Sequence, residues 1–347
     1  MGELPEATTI ASQVEKTLQK NNYPELEAFF LKFWSEHVLF GGQVDLELAK
    51  NLIRQLNDKI EQLGLLYLKA PVLYSELAYH MYAGNVEKAE EIGQTLQNMS
   101  KDFDNTYGKG FCFILQGLLA YRQRQWSRAR KYLESGLTIF RAPETRSFLH
   151  DYEFSIGAGL VHKHLQNWQE AENLLLRSLQ HFTDISSQLP STEALLSLAL
   201  LSEQRGSRQQ ALEYLESGLN IAEARQFTHF VIISPQDQVR LCVLALEGGS
   251  QSAKDYAAHL LKDSLPESVA LEDSWLSNHP HENVRKTIHE VMLQRHRRSR
   301  PRVDIQSLGD FRVWVGGKLL FDKATGGAQA GSLLKALLAQ ALEKQFR

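Results

Sequence analysis

The chain has 347 residues, 43% of them hydrophobic and 23% charged, with a formal net charge of −3. That supplies a large core and room for two or three domains, and it lacks the broad cationic face of a dedicated nucleic-acid binder. No uncharged apolar stretch is long enough to cross a membrane, and the N-terminal MGELPEATTIASQVEK has neither a basic leader nor an apolar signal core, so a cytoplasmic location is expected.

In chain order, TTIASQVEKTLQK, PELEAFFLKFWSEHVLF and DLELAKNLIRQLNDKIEQLG read as helices. Thr8 or Thr9, Pro24 and Asp45 are start signals and Gly64 is a stop. Residues 1–70 are expected to cap a helical solenoid or to begin it with atypical units. A turn-then-helix phrase then recurs: GNVEKAEEIGQTL, RQWSRARKYLESGL, QNWQEAENLLLRSL, GSRQQALEYLESGL and, more faintly, GGSQSAKDYAAHLL. Its anchoring alanines, Ala89, Ala129, Ala171, Ala211 and Ala253, follow one another at steps of 40, 42, 40 and 42 residues. A period this regular means stacked supersecondary units.

Each unit reads as two antiparallel helices. Small residues recur in register: Gly117, Gly159 and Ala199 lie twelve residues before the anchoring alanine, and Gly136, Ser178 and Gly218 seven after it. A helical glycine costs about 1 kcal/mol relative to alanine, so its recurrence predicts close helix crossings that offset the cost. This pattern resembles the tetratricopeptide repeat over residues 71–261, with units longer than the usual period of about 34 residues and mostly without the terminal proline. The longer units are more similar to the helical repeats of MalT-like signal-transduction ATPases. The expected fold class is an all-α, TPR-like superhelix of helical pairs over residues 71–293, with a small α/β stub at the C-terminus. RQFTHFVIISPQDQVRLCVLALEGG also resembles the MalT-like regulators, where a loop precedes the last helical pair.

Residues 294–302, QRHRRSRPR, carry five arginines and no acid and read as a basic linker. Beyond it the period changes to alternation in VDIQSLG, FRVWV and KLLF, with Gly316-Gly317 as a two-residue hairpin turn, and AGSLLKALLAQALEKQFR reads as one helix. Residues 303–347 resemble the start of the bacterial transcriptional activator domain, a response-regulator-type winged helix. The resemblance implies that the sequence stops before the recognition helix, so contact with DNA is expected only through a further C-terminal segment.

No catalytic motif, cofactor site or metal site is expected. The loop Gly326 to Ser332 lacks the lysine of a phosphate-binding loop. His162 and His164, two residues apart on a helix, project to different sides, and His279, His281 and His289 lack zincin spacing. Cys112 and Cys242 sit in apolar patterns as small hydrophobes. An enzyme is therefore not expected. The TPR resemblance implies a ligand or partner groove at Tyr74, Met81, Tyr82, Phe111, Tyr121, Arg122, Glu153, Lys163, His164, Glu203 and Gln204, while an aromatic stripe at helical spacing also suits a plain core. Arg122 and Lys163 beside aromatics suggest an acidic peptide or small anionic effector. Two functions fit: the sensory superhelix of a bacterial transcription regulator, binding a protein partner or small effector and able to self-associate, or a free-standing TPR adaptor.

Overall fold

The computed structural model describes residues 4–42, 44–102, 106–264, 276, 278–299, 303–306, 312–315 and 318–322. They divide into two compact units, residues 1–288 and 289–347.

The first unit is built from helices joined by tight turns: α1 (Leu4–Asn21), α2 (Pro24–Phe40), α3 (Leu46–Leu63), α4 (Lys69–Tyr82), α5 (Val86–Asp102), α6 (Thr106–Arg122), α7 (Trp126–Arg141), α8 (Phe148–His164), α9 (Trp168–Asp184), α10 (Gln188–Gln204), α11 (Arg208–Arg225), α12 (Pro235–Gly248) and α13 (Gln251–Asp263). Local chemistry sets several boundaries. The Asp45 carboxylate caps α3 by accepting the Leu48 N–H at 2.9 Å, and Gly64 ends it in the left-handed conformation.

The repeat seen in the sequence is a repeat of geometry. Four of the pairs close through a three-residue turn whose middle residue has positive φ: Gly84 (73°), Arg124 (59°), Gln166 (59°) and Gly206 (79°). In every case the next N–H reaches back to the last turn of the preceding helix, as in Asn85 to His80 O and Gln125 to Ala120 O, both 2.9 Å. The helices then cross where the small residues lie. A Cβ on Gly117 would stand 2.6 Å from Leu133 Cγ, one on Gly159 2.8 Å from Leu175 Cγ, and one on Gly136 2.7 Å from Ile114. Ala89, Ala129, Ala171, Ala199 and Ala211 are buried at the same crossings. Ser178 replaces glycine by donating its hydroxyl to Tyr152 O, 26 residues away on α8, at 2.8 Å.

The even-numbered helices form the inner row. α2 packs on α4, α4 on α6, α6 on α8, α8 on α10 and α10 on α12, as well as each on its own partner. The odd-numbered helices from α5 to α11 pack mainly on their even-numbered neighbours. The stack thus runs without a break from α2 onward, across residue 70. The amphipathic α3 buries Leu52, Ile53, Leu56 and Ile60 against α2 and α4.

Helix α14 (Glu282–Ser299) carries residues 294–299 of the basic segment, where composition alone suggested a linker. Arginine is a good helix former, so a run of arginines is compatible with a helix. The second unit contains an antiparallel sheet of order β1 (Val303–Gln306), β2 (Arg312–Val315) and β3 (Lys318–Asp322). Val315 pairs with Lys318 across the Gly316-Gly317 dipeptide, and the register shifts at Val313/Trp314. The expected helix after residue 330 and the Gly326 to Ser332 loop lie outside the described residues.

Candidate functional site

Between α11 and α12 the short-turn rule is broken. Gln226 ends α11 in the left-handed region, and residues 226–234 run as a strap. The strap first reaches the N-terminal pair: Thr228 and His229 donate their N–H groups to Gly42 O at 2.7 and 3.1 Å, across 186 positions of sequence in the first case. Gly42 has φ +86°, and a Cβ there would lie 2.4 Å from the Phe227 ring, so a side chain is excluded twice over. His229 then meets Tyr82 of α4 edge-on at 5.4 Å. Arg122 of α6 donates to Val231 O at 2.8 Å, and the Ile232 N–H donates to Glu193 of α10 at 3.0 Å. The strap therefore contacts α4, α6 and α10 of the inner row.

At its end stands a buried polar cluster. Ser234 caps α12, with Pro235 in the first turn, and its hydroxyl accepts the Asp237 N–H at 3.2 Å. Asp237 accepts from Tyr121 Oη at 2.6 Å and from Lys163 Nζ at 3.0 Å, and lies 3.2 Å from His164 Nε2. Lys163 and Asp237 are 1% and 2% exposed. Burial alone would raise the Asp237 carboxyl, but the Lys163 ammonium and the hydrogen bonds from His164 and Tyr121 outweigh it and hold the carboxyl well below the usual range. His164 also stacks on Trp126 at 4.0 Å. The cluster is an internal clamp, and its cations are taken up within the chain.

This corrects the expectation that Arg122 and Lys163 meet an acidic ligand. The strap carbonyl takes one and Asp237 the other, because a buried cation is tolerated only when paired. Asp237 carried no signal in the sequence beyond its position after Ser234-Pro235.

Other expected groove residues fall elsewhere. Tyr74, Phe111 and Glu153 come together in a pocket of about 240 Å³ on the inner row, shared with Phe40, Phe154 and His150. Glu36, His37 and Gly41 of the α2 end complete it, residues that repeat-based counting from the later units did not reach. Tyr74 lies 4.6 Å from Phe40, nearly parallel, and Phe111 meets His150 edge-on at 4.8 Å. Burial, then the nearby Glu36, pushes the Glu153 carboxyl up to about 7; burial, then the Lys32 cation, pushes His150 down to about 4. Tyr82 is buried in the core shared by α2, α3 and α4, Met81 packs against the core shared by α4, α5 and α6, and Glu203 is half-buried while Gln204 is exposed. His162 faces Glu134 at 3.6 Å, and His279 approaches Glu247 at 2.9 Å. Cys112 and Cys242 are buried, with thiols pushed up to about 11 and about 12 by burial. No helix among the described residues is long and apolar enough to cross a membrane.

No family model matches the chain in sequence, and no curated protein does. Solved structures resemble it in shape. A Rap protein complexed with competence and sporulation factor superposes with a TM-score of 0.57 at 13% identity, covering 84% of this chain and 82% of that one. The apo form of RapI gives 0.46 at 14% identity over 68% and 82%, and BtubC from P. vanneervenii gives 0.40 at 16% over 65% and 90%. At such identities the likeness is one of fold. The chain is a TPR-like α-superhelix of stacked helical pairs.

Proposed function

We propose that the chain is a regulator that acts by binding, with the inner row of helices as its binding face and no catalysis of its own. One observation carries this reading: the strap and the Asp237 clamp fill one part of the inner row, while α2, α4, α6 and α8 leave an aromatic pocket beside it. Solenoids of helical pairs use their concave face for extended contacts. The Rap protein solved with competence and sporulation factor shares the fold, which supports a regulatory partner for this chain as well.

The finer reading is the sensory superhelix of a bacterial transcription regulator. The three-stranded antiparallel sheet of the second unit, with its order β1-β2-β3, supports it, since a repeat-only adaptor has no use for such a sheet. A photo-crosslinking residue at Phe111, in the pocket, and another at Leu176, exposed on α9, test the proposal in cells. Capture of one partner from the Phe111 position and not from Leu176 is expected. Capture from Leu176 alone would overturn it.

A further inference from the structure

The inner-row pocket has an unusual electrostatic make-up. It is lined by the aromatic residues Phe40, Tyr74, Phe111 and Phe154 and by two acidic residues, Glu36 and Glu153. Glu36 pairs with Lys32 of its own helix at 2.8 Å. Only burial and the negative charge of Glu36 act on the half-buried Glu153 carboxyl, and no cation or hydrogen-bond donor offsets them. The groups facing it are Glu36 and His37 from α2, Tyr74 from α4 and His150 from α8, with Glu193 farther along the row on α10. Burial keeps His150 neutral near pH 7, so it supplies no positive charge. Of the nearby cations on inner-row helices, Lys32 pairs with Glu36, Arg122 is held by the strap and Lys163 by Asp237. A half-buried carboxylate in an aromatic-lined pocket without a counter-ion is an incomplete arrangement.

We propose that this pocket takes a single cationic group on an apolar stem, an alkyl guanidinium or ammonium, with Glu153 as its ion-pair partner and the aromatic rings around the stem. The inference rests on the reading of the inner row as the binding face and adds the charge of what it binds. Two features select this ligand class. Rings attract a cation through their faces and enclose its methylenes, and a carboxylate forms a charge-assisted pair with either head group. At about 240 Å³ the pocket lies below the range of roughly 300–1,000 Å³ that drug-sized ligands need, which suits one basic side chain or a small amine.

Isothermal titration with three probes tests it: the peptide acetyl-Gly-Arg-Gly-amide, its citrulline counterpart of the same shape without charge, and agmatine as a free small cation. The arginine peptide is expected to bind at least about tenfold more tightly than the citrulline peptide at pH 8. Because the empty carboxyl titrates near 7, its affinity should fall about tenfold between pH 8 and pH 6. Glu153→Gln should remove both the discrimination and the pH dependence, and Glu36→Gln should weaken the arginine peptide while a thermal melt shows each variant folded. Agmatine binding as tightly as the peptide identifies a small amine as the source, and peptide binding alone identifies a basic segment of a partner. Equal binding of the citrulline peptide, or no binding of either cation at about 10 mM, would overturn the charge assignment. Partner capture at Phe111 would survive that result, so the two proposals fail separately.

Discussion

Tyr121 and Asp237, 116 positions apart in the sequence, are joined by a hydrogen bond of 2.6 Å between buried groups, and this contact ties the middle of the helical stack to the helix that follows the strap. Lys163 shares the same carboxylate, so the cluster is an ion pair reinforced from two sides.

Breaking it from one side should be costly. Asp237→Asn leaves the Lys163 ammonium buried without its counter-charge, and a loss of about 3–5 kcal/mol is expected. Tyr121→Phe removes a hydrogen bond to a charged acceptor, and about 1.5–3 kcal/mol is expected. Urea unfolding of both variants checks the order. A smaller loss for Asp237→Asn than for Tyr121→Phe would contradict the charged assignment of Lys163.

The close crossings give a second prediction. Gly159→Leu forces a side chain against Leu175, where even a Cβ would stand 2.8 Å away, and should destabilise by about 1–3 kcal/mol. Leu175→Ala in the same chain should return part of that loss. Additive losses in the double variant would show that the two residues do not meet.

The turns allow a prediction of the opposite sign. Arg124 and Gln166 hold the left-handed conformation that Gly84 and Gly206 occupy in the equivalent turns. Arg124→Gly and Gln166→Gly should each stabilise by up to about 1 kcal/mol, and Gly206→Ala should cost about 1–2 kcal/mol. Thermal melts of the three variants suffice, and a lowered midpoint for both glycine variants would be the contrary result.

Glu193 sets a pH dependence. It is 3% exposed, accepts the Ile232 N–H, and its carboxyl is pushed up to about 8 by burial, with Glu153 adding to the rise. A carboxyl raised on folding favours the folded state while both forms are protonated. Its contribution is complete below the unfolded value near 4.5 and is lost as pH rises toward 8. Glu193→Gln keeps the acceptor for Ile232 and abolishes the titration, so its melting point should match the parent near pH 4.5 and exceed it increasingly up to pH 8. Within that window the gap should widen by up to about 1.4 kcal/mol for every step of one in pH, which melting curves resolve readily. A constant offset between the two curves would disprove this role.

The legibility of the molecule followed the reach of its interactions. Gly117, Gly159 and Ala199 announced the crossings because a helix interior resists glycine unless backbones approach, a constraint that acts at fixed spacing within one unit. Gly84 and Gly206 marked turns for a related reason, while Arg124 and Gln166 hid theirs by adopting the same conformation without the residue that advertises it. The strap was legible only as a loop before the last helical pair. Its anchors at Gly42, Tyr121 and Glu193 lie tens to hundreds of residues away, and no periodicity encodes such pairings. Arg122 and Lys163 looked like ligand-binding cations because their internal partners, the Val231 carbonyl and Asp237, are set by that unpredictable path.

The binding role of the inner row is tested most directly by hydrogen exchange on the chain alone and with the partner captured at Phe111. Protection is expected in α4, α6 and α8, whose pocket-facing residues include Tyr74, Phe111 and Glu153, with α7 and α9 unchanged. Protection confined to α7 and α9 would place the partner on the outer helices and contradict the assignment of the inner row as the binding face.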